Sequence, residues 1–214
     1  MDASGLKDVL HAVSQGLTYP VIGLLLVAVL YAVFSVGSVL VEFFVERRYF
    51  KVAIPNLVRA IDEASVDQMP GVINDSGLLV RQKKMLLTVF ANRDLPEESL
   101  WAMAKKLLLA EAGHYQRIMG RNNTVAKVAP MLGLMGTLIP LGPGIVALGQ
   151  GDTATLAGSL LVAFDTTVAG LVVAAVVLVI ARVRKNWYSQ YAESLEAATT
   201  AMLEKIDLLR KDGE

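Results

Sequence analysis

The stretch TATLAGSLLVAFDTTVAGLVVAAVVLVIA, residues 153–181, decides the fold. It runs for twenty-nine residues with a single charged side chain, Asp165. A helix needs about 20 apolar residues to cross the hydrocarbon core of a bilayer. The stretch is therefore read as a membrane span with an acid inside it. Two charge-free stretches precede it. Ala12–Val41 is thirty residues long, with its apolar heart at Val21–Leu40, and Val128–Gly151 is twenty-four. The expected spans are 18–41, 127–149 and 154–182. The first is read as a retained anchor. Its flank is acidic as well as basic (Asp2, Lys7, Asp8), its apolar run is long, and no small-residue cleavage site ends it.

Composition agrees. Of 214 residues, 54% are hydrophobic and 19% charged, against about 25% charged in a soluble domain. Mean hydropathy is +0.51. Twenty basic residues balance twenty acidic ones, which argues against a nucleic-acid partner. The absence of Cys excludes disulfides, thiol nucleophiles and Cys-metal sites, and two His (His11 and His114) are too few for a His-based metal cluster. There is no Walker loop, dinucleotide fingerprint, metal motif or nucleophile–base set. The expectation is an all-α membrane protein that is not an enzyme and carries no cofactor.

The basic residues set the topology. Lys7 is alone in the amino-terminal flank, the connection between the second and third spans has none, and the other nineteen lie in 42–127 or 182–214. Glu46-Arg47-Arg48 and Lys51 follow the first span, Arg117, Arg121 and Lys127 precede the second, and Arg182, Arg184 and Lys185 follow the third. Basic residues stay on the cytoplasmic side. Residues 1–17 and the turn 150–153 are thus expected outside, and 42–126 and 183–214 inside. The inner parts read as helices: Val52–Ala64, then breakers over Val66–Gly77, then 78–92. A further helix starts at Asn92–Glu98 with Asp94 as cap and runs through Trp101, Leu108 and Tyr115 towards the second span. In the tail, Tyr188, Tyr191, Leu195, Ala198, Met202 and Ile206 recur at helical spacing. That stripe needs a partner, either 42–126 of the same chain or a neighbouring subunit.

Asp165 is the outstanding residue. A carboxylate at the centre of a span costs about 2.5–3.5 kcal/mol on insertion scales. At 1.5 Å per residue it lies about 5 Å from the middle of a 154–182 helix. Such a group lines an ion path, or it is structural and bonds to Thr166 or a neighbouring helix. The first use is the expectation, since intramembrane acids are functional by default. Thr137, Thr166 and Thr167 are the other intramembrane hydroxyls of interest. They either coordinate an ion or order water, or they bond back to the preceding turn or between helices. Pro140 and Pro143, with Gly142 and Gly144, are expected to kink or partly unwind the outer half of the second span. Small residues crowd both later spans (Gly133, Gly136, Gly158, Ala163, Gly170, Ala174) and point to close helix approach and oligomerisation. The first span has fewer and is expected on the outside. His114, Trp101, Trp187 and Tyr188 read as surface, packing or interfacial residues.

Ala129-Pro130-x-Leu132-Gly133-Leu134-x-Gly136-Thr137, the short Gly151-Asp152 turn, and Ala163-Phe164-x-Thr166-Thr167-x-x-Gly170-Leu171 together resemble the MotA/TolQ/ExbB proton-channel family. The layout is similar to its three-span ExbB/TolQ branch. The motif likeness covers about 125–185; the rest agrees in layout only. The resemblance implies a pentameric collar in the inner membrane, around a dimer of a single-span ExbD/TolR/MotB-like partner that carries the ion-accepting Asp. It implies that H⁺ or Na⁺ flow is converted into mechanical work. It also implies that Thr137 and Thr167, with Asp165 and Thr166, line the surface facing the partner. The chain departs from the pattern at Val162, where ExbB-type chains carry a pore Glu. Asp165 lies three residues later, a turn of about 60° at 100° per residue. Pro140 and Pro143 are a second departure. Two readings follow: an ion-driven motor subunit, favoured by Asp165, and a non-conducting scaffold or signalling subunit that keeps the collar. A solute transporter is a weaker third.

Overall fold

The computed structural model describes residues 9, 12–44 and 54–211. The charges at Asp2, Lys7, Asp8, Glu46, Arg47, Arg48 and Lys51, and also His11, lie outside the described residues. Every regular element among the described residues is helical: α1 (Thr18–Glu42), α2 (Ile54–Glu63), α3 (Met69–Asp75), α4 (Val80–Ala91), α5 (Glu97–Gly149) and α6 (Thr153–Lys211). Among the described residues three helices are long and apolar enough to cross a membrane: Ala12–Glu42, which contains α1, and α5 and α6. The chain divides into two compact units, Met1–Ser38 with Gly120–Arg182, and Val39–Met119 with Val183–Glu214.

The first unit is a three-helix packing of α1 with the later part of α5 and the earlier part of α6. Its core is made of small residues, Ala28 and Ala32 of α1 meeting Ala129 of α5 and Val173 and Val177 of α6. The far side of α1 leaves Leu26, Leu30, Val33 and Phe34 exposed, a surface suited to hydrocarbon rather than water. The Tyr31 hydroxyl donates to Asn122 Oδ1 at 2.6 Å. Two devices make the turn from α5 to α6. The amides of Gly151 and Asp152 bond to the Leu148 and Ala147 carbonyls at 3.0 and 2.9 Å. Gly151 takes φ +83°, the left-handed position that this helix ending requires. Asp152 then caps α6, its Oδ1 accepting from the Thr155 amide at 3.0 Å and its Oδ2 from the Thr155 hydroxyl at 2.5 Å. The Thr155 hydroxyl, with its amide, holds this carboxyl below its ordinary value.

The second unit has an apolar centre. Leu195, Ala198, Met202, Leu203 and Ile206 of α6 pack on Ile61, Met69, Ile73, Leu86 and Leu100 of α2–α5. The partner that the tail stripe needs is thus the same chain. Tyr115, Trp187, Tyr188 and Tyr191 form an aromatic cluster, with Tyr115 and Tyr188 stacked at 4.5 Å. Gln82 is fully buried and joins two helices. Its Oε1 accepts the Leu79 amide at the start of α4 (3.1 Å), and its Nε2 donates to the Tyr191 carbonyl (2.8 Å). Arg184 and Glu42 form an ion pair at 2.9 Å with side chains 7% and 11% exposed.

Three local expectations are corrected. The supposed breaker region contains α3, because Pro70 falls in its first turn, where a missing N–H costs nothing. Helix α5 begins after Pro96, whose carbonyl accepts the Leu100 amide, so Asp94 is not its cap. Glu97 and Glu98 instead place negative charge in its first turn. Finally, α5 stays helical through Pro130, Pro140 and Pro143, so of the kink or partial unwinding expected at the later two, the unwinding does not occur. Inside a bilayer an unwound backbone leaves polar groups unsatisfied, a larger cost than the single donor each proline removes.

Candidate ion-pathway site

Glycine brings α5 and α6 together. A Cβ on Gly170 would lie 2.7 Å from the Ala129 carbonyl oxygen, and one on Gly133 would lie 3.0 Å from the Thr166 carbonyl oxygen. At Gly136 it would meet the Thr166 side chain at 2.7 Å, and at Gly144 the Ser159 side chain at 3.0 Å. The two backbones therefore touch, with Ala129 and Ala163 buried beside them. Part of the small-residue set thus serves packing within the chain, whereas Gly158 meets nothing within 4 Å.

This crossing fixes where the four polar residues go. Thr166 is buried against Gly136, and its hydroxyl donates to the carbonyls of Val162 and Ala163 at 2.9 and 3.0 Å. The Thr167 hydroxyl donates to Ala163 at 3.0 Å, and the Thr137 hydroxyl to Leu134 at 2.6 Å. All three hydroxyls bond back to their own helix, leaving oxygen lone pairs as acceptors. Thr137 and Thr167 are half-buried.

Asp165 points elsewhere. One residue before Thr166, it is turned about 100° from the packed face, and it is exposed. Its neighbours on that face are Leu161, Val162, Val168 and Val172, all exposed and apolar. Among the described residues no hydrogen bond or ion pair involves its carboxylate, Thr166 included. Pro140 and Pro143 are half-buried on α5. The structure thus brings Thr166 and Thr167 to the α5–α6 crossing and separates Asp165 from it. Among the described residues no group of acids and histidines could hold a metal. The sequence reading passed over two polar links: Tyr31–Asn122, in the first unit, and Glu42–Arg184, in the second. The partners are 91 and 142 residues apart, and no local pattern announces them.

Fold and site together define a multi-pass membrane protein, all-helical among the described residues, with two glycine-crossed apolar helices and an exposed carboxylate on one of them. The chain belongs to the MotA/TolQ/ExbB proton channel family, whose family model matches residues 80–197. That range holds the glycine crossing, Asp165 and the three threonines. A relative in Methanothermobacter thermautotrophicus, described as a biopolymer transport protein ExbB homologue, is 29% identical over 56% of this chain and 49% of its own length. The chain thus spans about half the length of that relative.

Proposed function

We propose that the chain is an ion-motive-force-driven motor or stator subunit of the ExbB/TolQ/MotA type. Five copies form a collar in the inner membrane around a dimer of a single-span ExbD/TolR/MotB-like partner. The amino terminus lies outside and residues 183–214 lie in the cytoplasm. The flow of H⁺ or Na⁺ between collar and partner is converted into mechanical work. One charge falling through 100 mV releases about 2.3 kcal/mol.

The observation that carries this reading is the exposed Asp165 carboxylate, unpaired among the described residues of its own chain. Left in lipid it would be costly, so water or another chain covers it. An ionisable group against water in a membrane is the requirement for ion passage. Thr137 and Thr167, half-buried with acceptor lone pairs free, add polar groups on the same two helices, away from the apolar face that carries Asp165. Thr166, held against Gly136, positions the helix. Asp165→Asn keeps shape and hydrogen bonding but removes the charge. With the partner present, the substitution should abolish ion flux into proteoliposomes while leaving the complex assembled. Full flux in that variant overturns the motor reading. The second reading, a collar that conducts nothing, has Val162 on its side. This apolar residue is 39% exposed where related chains carry their Glu. Under that reading the wild-type complex is itself ion-tight.

A further inference from the structure

Helices α1 and α5 do not close fully on each other. Between them lies an open groove of about 230 Å³, walled by Leu24, Val27 and Ala28 on one side and Val125, Val128 and Leu132 on the other. Tyr31 and Thr124 form one end. We propose that this groove is a lipid site: it seats one acyl chain of an anionic phospholipid, with the phosphate held by Arg121.

Size comes first. From Thr124 to Leu132 the groove runs eight residues along α5, about 12 Å at 1.5 Å each. Over that length its lining is almost wholly hydrocarbon, the surface an acyl chain packs against. Depth agrees: about 12 Å fits one leaflet, half of a core about 30 Å thick.

The ends are unlike, as the ends of a phospholipid are. Leu24 and Leu132 close the far end with hydrocarbon. At the near end the Tyr31 hydroxyl bonds to Asn122, whose buried Nδ2 is a donor without an acceptor among the described residues. Arg121 is next to it. It is exposed, and it makes no ion pair among the described residues. Val125, Val128 and Leu132 follow it at four, seven and eleven residues, so the cation stands on the groove's own stripe, one turn beyond the apolar wall. A phosphate at that point meets an unopposed positive charge while its acyl chain runs down the groove. The side of the membrane that supplies the lipid rests on the proposed orientation; the site itself does not.

The test is lipid retention by the full chain, reconstituted with equal phosphatidylglycerol and phosphatidylcholine and counted by native mass spectrometry. Wild type should retain phosphatidylglycerol in preference. Arg121→Gln, at an exposed position that does not threaten the fold, should cut that preference about fivefold, the equivalent of about 1 kcal/mol per basic residue at an anionic surface. Val128→Trp should fill the groove and lower retention of both lipids. An unchanged ratio in Arg121→Gln overturns the proposal. So does Val128→Trp that loses its oligomeric state but keeps its lipid, which would make the groove a contact between copies. Lipid count is read per chain and needs neither partner nor ion flow. A wild-type complex with its partner that conducts nothing, from a chain that retains the lipid, refutes the motor and leaves this site standing.

Discussion

Replacing Gly170 with Ala tests the helix crossing most directly. The new methyl carbon would lie 2.7 Å from the Ala129 oxygen, 3.1 Å from Gly133 Cα and 3.3 Å from Gly133 N. All three are backbone atoms, so no rotamer change relieves the clash. Ordinary contact begins near 3.4 Å, so α5 and α6 must part by roughly 0.7 Å at this point. A gap of that size forfeits a quarter to a half of each contact's attraction, and the Gly133 and Gly136 contacts with Thr166 lie in the same seam. Overpacking typically costs about 1–3 kcal/mol, while Ala in place of Gly returns up to about 1 kcal/mol of helix propensity. The net expectation is a loss on the order of 1–2 kcal/mol. Gly158→Ala and Gly120→Ala, where a methyl meets nothing within 4 Å, should be neutral or slightly stabilising. Unfolding by SDS titration, followed by far-UV circular dichroism, measures all three. If Gly170→Ala is as stable as the two controls, the backbone contact does not exist and the account of the crossing is wrong.

The other predictions concern the second unit. Glu42→Gln takes a carboxylate from Arg184 at a site 7% exposed, and should cost toward the lower end of the ~3–5 kcal/mol seen when buried pairs are broken, measured in the same titration. Gln82→Leu removes both the cap on Leu79 and the bond to the Tyr191 carbonyl, and should destabilise by about 1–3 kcal/mol; hydrogen exchange should rise at the start of α4 first. His114, outside the 127–149 span, accepts at Nε2 from the Arg81 guanidinium at 3.1 Å. Burial and then the Arg81 charge lower its pKa, Glu111 opposing and Arg117 reinforcing the shift. Because the unfolded chain binds this proton more readily than the native one, its contribution is fully present above about pH 6.5. Stability is lost as pH falls toward the lower native value. His114→Gln should flatten the slope of melting temperature between pH 5 and 7.

The spans were legible because charge is excluded from lipid, and the gaps around Val21–Leu40, Val128–Gly151 and Asp165 follow from that alone. The tail stripe from Tyr188 to Ile206 was legible as a buried face, but its partner was not, since periodicity identifies a face and not what covers it. Pro140 and Pro143 misled as to unwinding because the rule for helix breaking assumes water as an alternative partner. Pro70 misled for the opposite reason: its cost depends on one turn of register that composition does not contain. The direction of Asp165 and the burial of Thr166 one residue later depend on the Gly136 contact. The motif made that glycine visible without saying what it met.

A layer of side chains between two helices acts as a cushion that shears and compresses. Between α5 and α6 there is none where Gly133 and Gly170 meet. At that point a displacement of one helix has no rotamers to take it up and reaches the backbone of the other directly.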